Sequence, residues 1–117
     1  MTKDRNIYLY HMRDCAQDIL AFTKGDFNLL YNDKLTKFAV ERCFTIIGEA
    51  SGKLPDELKL KYPQVKWQKI KAFRNHLTHE YFDIDYEKVW EIIENEIPIL
   101  LDEIGKIITD IFGAESK

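Results

Sequence analysis

Residues 86–111, YEKVWEIIENEIPILLDEIGKIITDI, decide the fold class. Tyr86, Trp90, Ile93, Ile97, Leu100, Ile104, Ile107 and Ile111 follow one another by alternating steps of four and three. That spacing puts all eight on one stripe of an α-helix, a coiled-coil-like seam suited to packing along a bundle or against a second copy. Asp85 stands where an N-cap belongs. Pro98, inside the pattern, should kink the helix locally, because it has no N–H to give and crowds the preceding turn. Strand signals are absent, with no run of alternating residues bounded by turn chemistry.

Working outward, the same period recurs. Tyr8, Met12, Cys15, Ile19 and Phe22 step by four and three and predict a first amphipathic helix ending near Gly25. A second is predicted from Asp33, a plausible N-cap, to Gly52, a plausible stop. Its apolar residues Leu35, Phe38, Ala39, Val40, Cys43, Phe44, Ile46, Ile47 and Ala50 nearly encircle it, so it should be the most buried helix. Pro55 opens a short turn or helix that Pro63 closes. A third main helix carries Trp67, Ile70, Phe73 and Leu77 as its inner stripe. The expectation is an all-α, up-and-down bundle of four main helices plus a short helix or turn, in a single domain over residues 1–117.

Composition sets the outer limits. The chain has 117 residues, 45% hydrophobic and 32% charged, which suits one soluble globular core. No apolar run approaches the length that spans a bilayer, and the opening residues have no signal-peptide apolar region behind them. A cytoplasmic protein with no membrane association is expected. Cys15 and Cys43 fall in helical apolar patterns and read as reduced core residues. His11, His76 and His79 form no metal-ligand spacing with Cys or carboxylates, and phosphate-loop and dinucleotide fingerprints are missing, so neither metal nor cofactor is expected.

The residues that speak of chemistry are Arg74-Asn75-His76-Leu77-Thr78-His79-Glu80-Tyr81. They put a fixed cation, an amide, a titratable imidazole and a phenol within about two helical turns. A guanidinium grips phosphate oxygens as a rigid fork, and an imidazole exchanges protons near neutral pH. Together they are what metal-free phosphodiester cleavage needs. The net charge of −3 does not advertise a nucleic-acid binder, but its distribution is uneven. From Lys59 to His79 there is no acidic residue, and Lys66, Lys69 and Lys71 lead into Arg74 as candidate RNA contacts.

Helical geometry constrains this site further. With about 100° per residue, Arg74 lies roughly 45° from the centre of the Trp67/Ile70/Phe73/Leu77 stripe. Thr78, Asn75 and His79 follow it round the helix, spanning about 140° from the core boundary to solvent. His79 would then point away from the chain's own core. Either the helix breaks before His79 or another surface covers the arc; a symmetric dimer supplies that surface and places two Arg/His sets in one cleft. Each residue has a plainer alternative. Arg74 could be a buried ion-pair partner of Glu49, His79 a C-terminal helix residue favouring the dipole, and Tyr81 an anchor for the following turn.

The spacing Arg, four residues, His, one residue, Tyr resembles the signature of the HepT-like branch of the HEPN helical domains. The similarity covers nearly the whole chain: Met12-Arg13-Asp14, Ile46-Ile47-Gly48-Glu49-Ala50, Leu54-Pro55, Tyr62-Pro63, Trp67-Gln68-Lys69-Ile70, Arg74-Asn75, His79 through Asp85, and Val89-Trp90. One departure is Glu80, where a small residue, often Gly, is expected. The resemblance implies a dimerising HEPN bundle and the toxin of a type VII HEPN/MNT toxin–antitoxin pair, acting as a metal-independent endoribonuclease. Its partner would be a minimal nucleotidyltransferase of the MntA type, which silences the toxin by moving AMP from ATP onto the motif tyrosine. Carried over by position, Arg74 would stabilise charge on the scissile phosphate, and His79 would act as general base or acid. Asn75 would orient His79 or the phosphate, and Tyr81 would accept AMP. A second class of function stays open beside it: a nucleotidyltransferase-associated subunit that binds substrate or nucleotide and performs no chemistry.

Overall fold

A computed structural model describes residues 4–113. The ends of the expected 1–117 domain, including the first three residues read for a leader, lie outside the described residues. Seven α-helices occur among the described residues: α1 (Tyr8–Thr23), α2 (Phe27–Asn32), α3 (Lys34–Lys53), α4 (Asp56–Lys61), α5 (Trp67–His79), α6 (Tyr86–Asn95) and α7 (Ile97–Phe112). Short 3-10 turns lie at Arg5–Ile7 and Tyr81–Asp83, and no strand occurs among these residues. None of these helices is long and apolar enough to cross a membrane.

Local chemistry explains the boundaries. The Asp33 carboxylate accepts from the Thr36 amide at 3.0 Å and starts α3, and Asp85 accepts from the amides of Glu87 and Lys88 and starts α6. α1 stops where Lys24 and Gly25 both take positive φ, 52° and 69°. The Lys24 amide still bonds the Leu20 carbonyl, so the reversal satisfies a carbonyl the helix would otherwise orphan. At the other end of α3, the Lys59 ammonium donates to the Ser51 carbonyl at 3.2 Å.

The structure departs from the sequence pattern at four points. The fourth main helix divides into α6 and α7 at Glu96, just before Pro98. Proline cannot donate to the preceding turn, yet Glu96 and Leu100 keep bonds at 2.8 and 2.9 Å, so the seam runs on through the break. The six-residue α2, capped by Asp26, was no part of the pattern; it buries Leu30 against the core. The inner face of α1 sits one position round from the expected stripe: Leu9, Met12, Cys15, Ala16 and Ile19 are buried, whereas Phe22 is exposed. On α3 the predicted encirclement also fails, because Leu35 and Phe38 face outward.

The core is continuous. α1 packs against both α3 and α7, α3 carries α5 on its other side, and α6 packs on α7. Ile93, Ile97, Leu100, Ile104 and Ile107 of the seam are all buried, as the period requires. Cys15 and Cys43 are free and buried where α1 meets α3, and their thiols interact. Burial pushes the Cys43 thiol from 9.0 up to about 12, and it raises Cys15 as well. The phenols of Tyr62 and Tyr86 are raised for the same first reason. All four groups hold protons in the fold that the unfolded chain releases at lower pH. The stability they carry is therefore complete below the unfolded thiol value and drains as pH climbs from 9 towards 12. Melting temperature is expected to fall across that window. At pH 8 iodoacetamide should leave both thiols unmodified until the chain unfolds, since the thiolate is the nucleophile. Mass spectrometry with and without denaturant checks the second expectation.

Candidate functional site

Three contacts set the rotation of α5. The Trp67 indole donates to the Tyr62 carbonyl at 3.1 Å. The Phe73 ring meets Phe44 edge-on, with centroids 4.8 Å apart and planes at 81°. Leu77 is buried. With these fixed, Arg74 falls against α3 at Gly48. A Cβ on Gly48 would lie 2.4 Å from the Arg74 Cβ and 2.5 Å from its Cγ, so the stem of Arg74 rests directly on the glycine backbone. Glycine is needed there for space.

Arg74 is half-buried, and its Nε is enclosed with no hydrogen-bond partner. No carboxylate lies within ion-pair distance of it among the described residues, and Glu49, the partner considered above, is exposed. The guanidinium is thus seated by packing, with one buried donor left unused.

The rest of the motif follows round the helix. Asn75 is half-buried, and His79, the last residue of α5, is exposed. The Glu80 amide bonds the His76 carbonyl at 2.8 Å, so the helix is intact through His79 and does not break before it. The Thr78 hydroxyl donates back to the Arg74 carbonyl at 3.0 Å. Tyr81 opens the 3-10 turn with its ring 5.4 Å from Phe82, and both rings are exposed. Among the described residues no side-chain hydrogen bond joins Arg74, Asn75, His79 and Tyr81 to one another. They share one open arc and its immediate continuation, and His79 has no wall from its own chain.

The three lysines separate. Lys66 and Lys69 line a groove of about 420 Å³ between α5 and the α6–α7 pair, floored by Phe44, Phe73, Ile97 and Leu100 and edged opposite by Glu96 and Glu103. That groove lies on the far flank of α5 from Gly48. Only Lys71, exposed, stands about 60° round the helix from Arg74. A cluster that sequence reasoning missed sits beyond the end of α5. The Tyr86 hydroxyl donates to the Glu41 carboxylate, and Lys37 places its ammonium 4.4 Å from the Tyr86 ring centroid and 5.2 Å from that of Tyr31. Burial, then the Glu41 bond, raises the Tyr86 phenol. The only signal available was the four-residue step from Lys37 to Glu41, which reads as an ordinary solvated helix face.

Among the described residues no three His, Cys, Asp or Glu side chains converge as a metal site. What remains is an all-helical protein whose Arg/His motif closes α5 and whose arginine is seated on a glycine of α3. Comparison with known proteins identifies its kin. The model of the family described as "Ribonuclease HepT-like" matches residues 12–107, and the chain belongs to that family. It is 39% identical to "Putative RNase MJ1216" of Methanocaldococcus jannaschii over 98% of this chain and 96% of that protein. It is 32% identical to "Probable ribonuclease HepT" of Thermococcus cleftensis, over 92% of this chain and 98% of the other. "Putative RNase TTE0752" of Caldanaerobacter subterraneus subsp. tengcongensis is 35% identical over 86% and 91% respectively. No solved structure gives a significant match.

Proposed function

We propose that this chain, one HepT-like domain over residues 1–117, is a metal-independent endoribonuclease and the toxin of a type VII HEPN/MNT pair. The observation that carries the reading is Arg74: a half-buried guanidinium without an ion pair, held on Gly48 within two turns of a solvent-facing histidine. In the reaction, His79 takes the proton of a ribose 2′-hydroxyl, and the freed oxygen attacks the adjacent phosphorus. Arg74 stabilises the extra negative charge on the phosphoryl oxygens. The P–O5′ bond breaks, the leaving 5′-oxygen takes up a proton, and the products are a 2′,3′-cyclic phosphate and a 5′-hydroxyl. Asn75 orients the imidazole or the phosphate.

One imidazole in open water makes a poor catalyst, so the active form is a homodimer. Two α5 arcs face each other, His79 of one protomer serving as base and that of its partner as acid. Control comes from a cognate minimal nucleotidyltransferase that transfers AMP to Tyr81. Exposed and two residues from His79, the phenol is open to modification, and the added nucleotide fills the cleft with negative charge where RNA must bind. Glu80 beside His79 supports the alternative, a nucleotidyltransferase-associated binding subunit without chemistry, since a carboxylate there repels RNA phosphate.

The two are separated by assaying RNA cleavage before and after incubation with ATP and a nucleotidyltransferase encoded beside this chain. Wild type should cleave, then fall silent as its mass rises by AMP, while Tyr81→Phe should cleave throughout and gain no mass. AMP on Tyr81 with no cleavage even after the AMP is removed would establish the binding subunit instead.

A further inference from the structure

Beyond the motif, the α3–α5 seam continues into a patch of uncovered rings and cations. Tyr31, Phe38, Tyr81 and Phe82 are 51%, 46%, 48% and 94% exposed, unusual for so many rings within one small region. Lys37 lies between the Tyr31 and Tyr86 rings, and Tyr81 and Phe82 meet edge-on five and four residues before Tyr86 in the chain. On the same helix as Lys37, the Lys34 ammonium stands 5.9 Å from the Phe38 centroid. Neither Lys34 nor Lys37 has a carboxylate within ion-pair distance among the described residues; Glu41 is engaged by the Tyr86 hydroxyl, Asp33 and Asp85 are engaged as helix caps, and Glu80 and Asp83 flank the Tyr81–Phe82 turn.

The patch also has a place relative to the chemistry. α5 runs back along α3, so that Arg74 meets Gly48 while Tyr86, beyond the end of α5, reaches Glu41. From Gly48 to Lys37 is eleven residues of helix, about 16 Å at 1.5 Å per residue. A strand whose scissile phosphate sits at Arg74 therefore passes over the patch a few nucleotides away.

We infer that Tyr31, Lys34, Lys37, Phe38 and Phe82 form a binding platform for single-stranded RNA flanking the cleavage point, with bases stacked on the rings and phosphates at the two lysines. The inference rests on the ribonuclease reading and names its substrate class. Stacking needs the flat faces of bases, which a duplex keeps inside its own helix, so paired RNA gains nothing from this surface. Unpaired cations interleaved with rings distinguish it from an apolar patch made for protein, where the ammonium groups would be desolvated without partners.

The test uses the full chain carrying His79→Ala, so that the RNA survives, and measures binding of a short labelled single strand and of a hairpin by fluorescence anisotropy. Tyr31→Leu and Phe82→Leu should each weaken single-strand binding on the order of tenfold, and the hairpin should be little affected. Lys37→Gln should lower the salt dependence of single-strand binding. Sedimentation should show an unchanged oligomeric state in every variant. Phe82 is almost wholly exposed, so its replacement reports on binding and not on folding. Single-strand binding unchanged in all three variants overturns the platform while leaving the ribonuclease reading to its own assay. Dissociation of the oligomer on losing a ring overturns it too, because the patch is then an interface between copies. No RNA binding by the parent protein removes both readings together.

Discussion

Arg74→Ala is expected to lower RNA cleavage by about two to three orders of magnitude, the size of effect seen when a fixed donor to a developing oxyanion is removed. The fold should survive, because the guanidinium makes no ion pair that its loss would break and Leu77 and Phe73 still hold α5. Far-ultraviolet circular dichroism and a melting curve separate the two effects. Arg74→Lys should recover little: an ammonium keeps the charge but loses the fork that meets two phosphate oxygens at once. The outcome against this account is cleavage by Arg74→Ala within a few-fold of wild type. Loss of cleavage only in step with loss of helix would count equally, since Arg74 would then be a structural residue.

Gly48→Ala carries the second large effect, and it acts without touching substrate. The new methyl would lie 2.4 Å from the Arg74 Cβ, an atom close to the backbone that no rotamer change removes. α3 and α5 must move apart, and overpacking of this kind costs about 1–3 kcal/mol. The same shift unseats the stem of Arg74 from α3 and frees its guanidinium to wander, so cleavage should fall well beyond what the lost stability explains. The clash has a partner that can be deleted. Combining Gly48→Ala with Arg74→Gly removes the opposing Cβ, and the double variant should be less destabilised than the sum of the two singles. Additive losses would place the cost of Gly48→Ala somewhere other than this contact. The measurement is a set of denaturant melts for the two single variants, the pair and wild type.

Much of this fold was legible because the stretch that forms α6 and α7 is so regular. Residues 86–111 repeat at 3.5 positions, and nothing but a helix puts such a set on one side; Ile93, Ile97, Leu100, Ile104 and Ile107 are buried as that pattern demands. Capping residues were equally readable, since Asp33 and Asp85 act on amides two and three positions ahead. What failed depends on distant neighbours. Leu35 and Phe38 look like core by composition but stand where no other helix among the described residues covers α3. Phe22 fell on the expected stripe of α1, yet the face actually covered by α3 and α7 is centred on Leu9 and Ala16. α2 is too short for two full turns of pattern, and Asp33 at its end reads as the cap of the helix that follows.

The site divides in the same way. Arg74, Asn75 and His79 lie within two turns of one helix, so their common arc follows from helical geometry alone, and Tyr81 is close behind in the chain. The seat of Arg74 did not, because Gly48 sits twenty-six positions away on another helix and its role appears only when the two backbones are brought together. Lys66 and Lys69 show how little adjacency in sequence says about direction in space. Adjacency in sequence suggested a basic approach to the motif, while the rotation fixed by Trp67 and Phe73 turns them into the groove on the other flank.

The central claim, that the end of α5 cuts RNA without a metal, is tested most directly by incubating purified protein with RNA in EDTA and examining the product ends. The account predicts cleavage in wild type that leaves 2′,3′-cyclic phosphate and 5′-hydroxyl ends and disappears in both Arg74→Ala and His79→Ala. Cleavage that EDTA abolishes, or cleavage that persists in His79→Ala with the same ends, would contradict it.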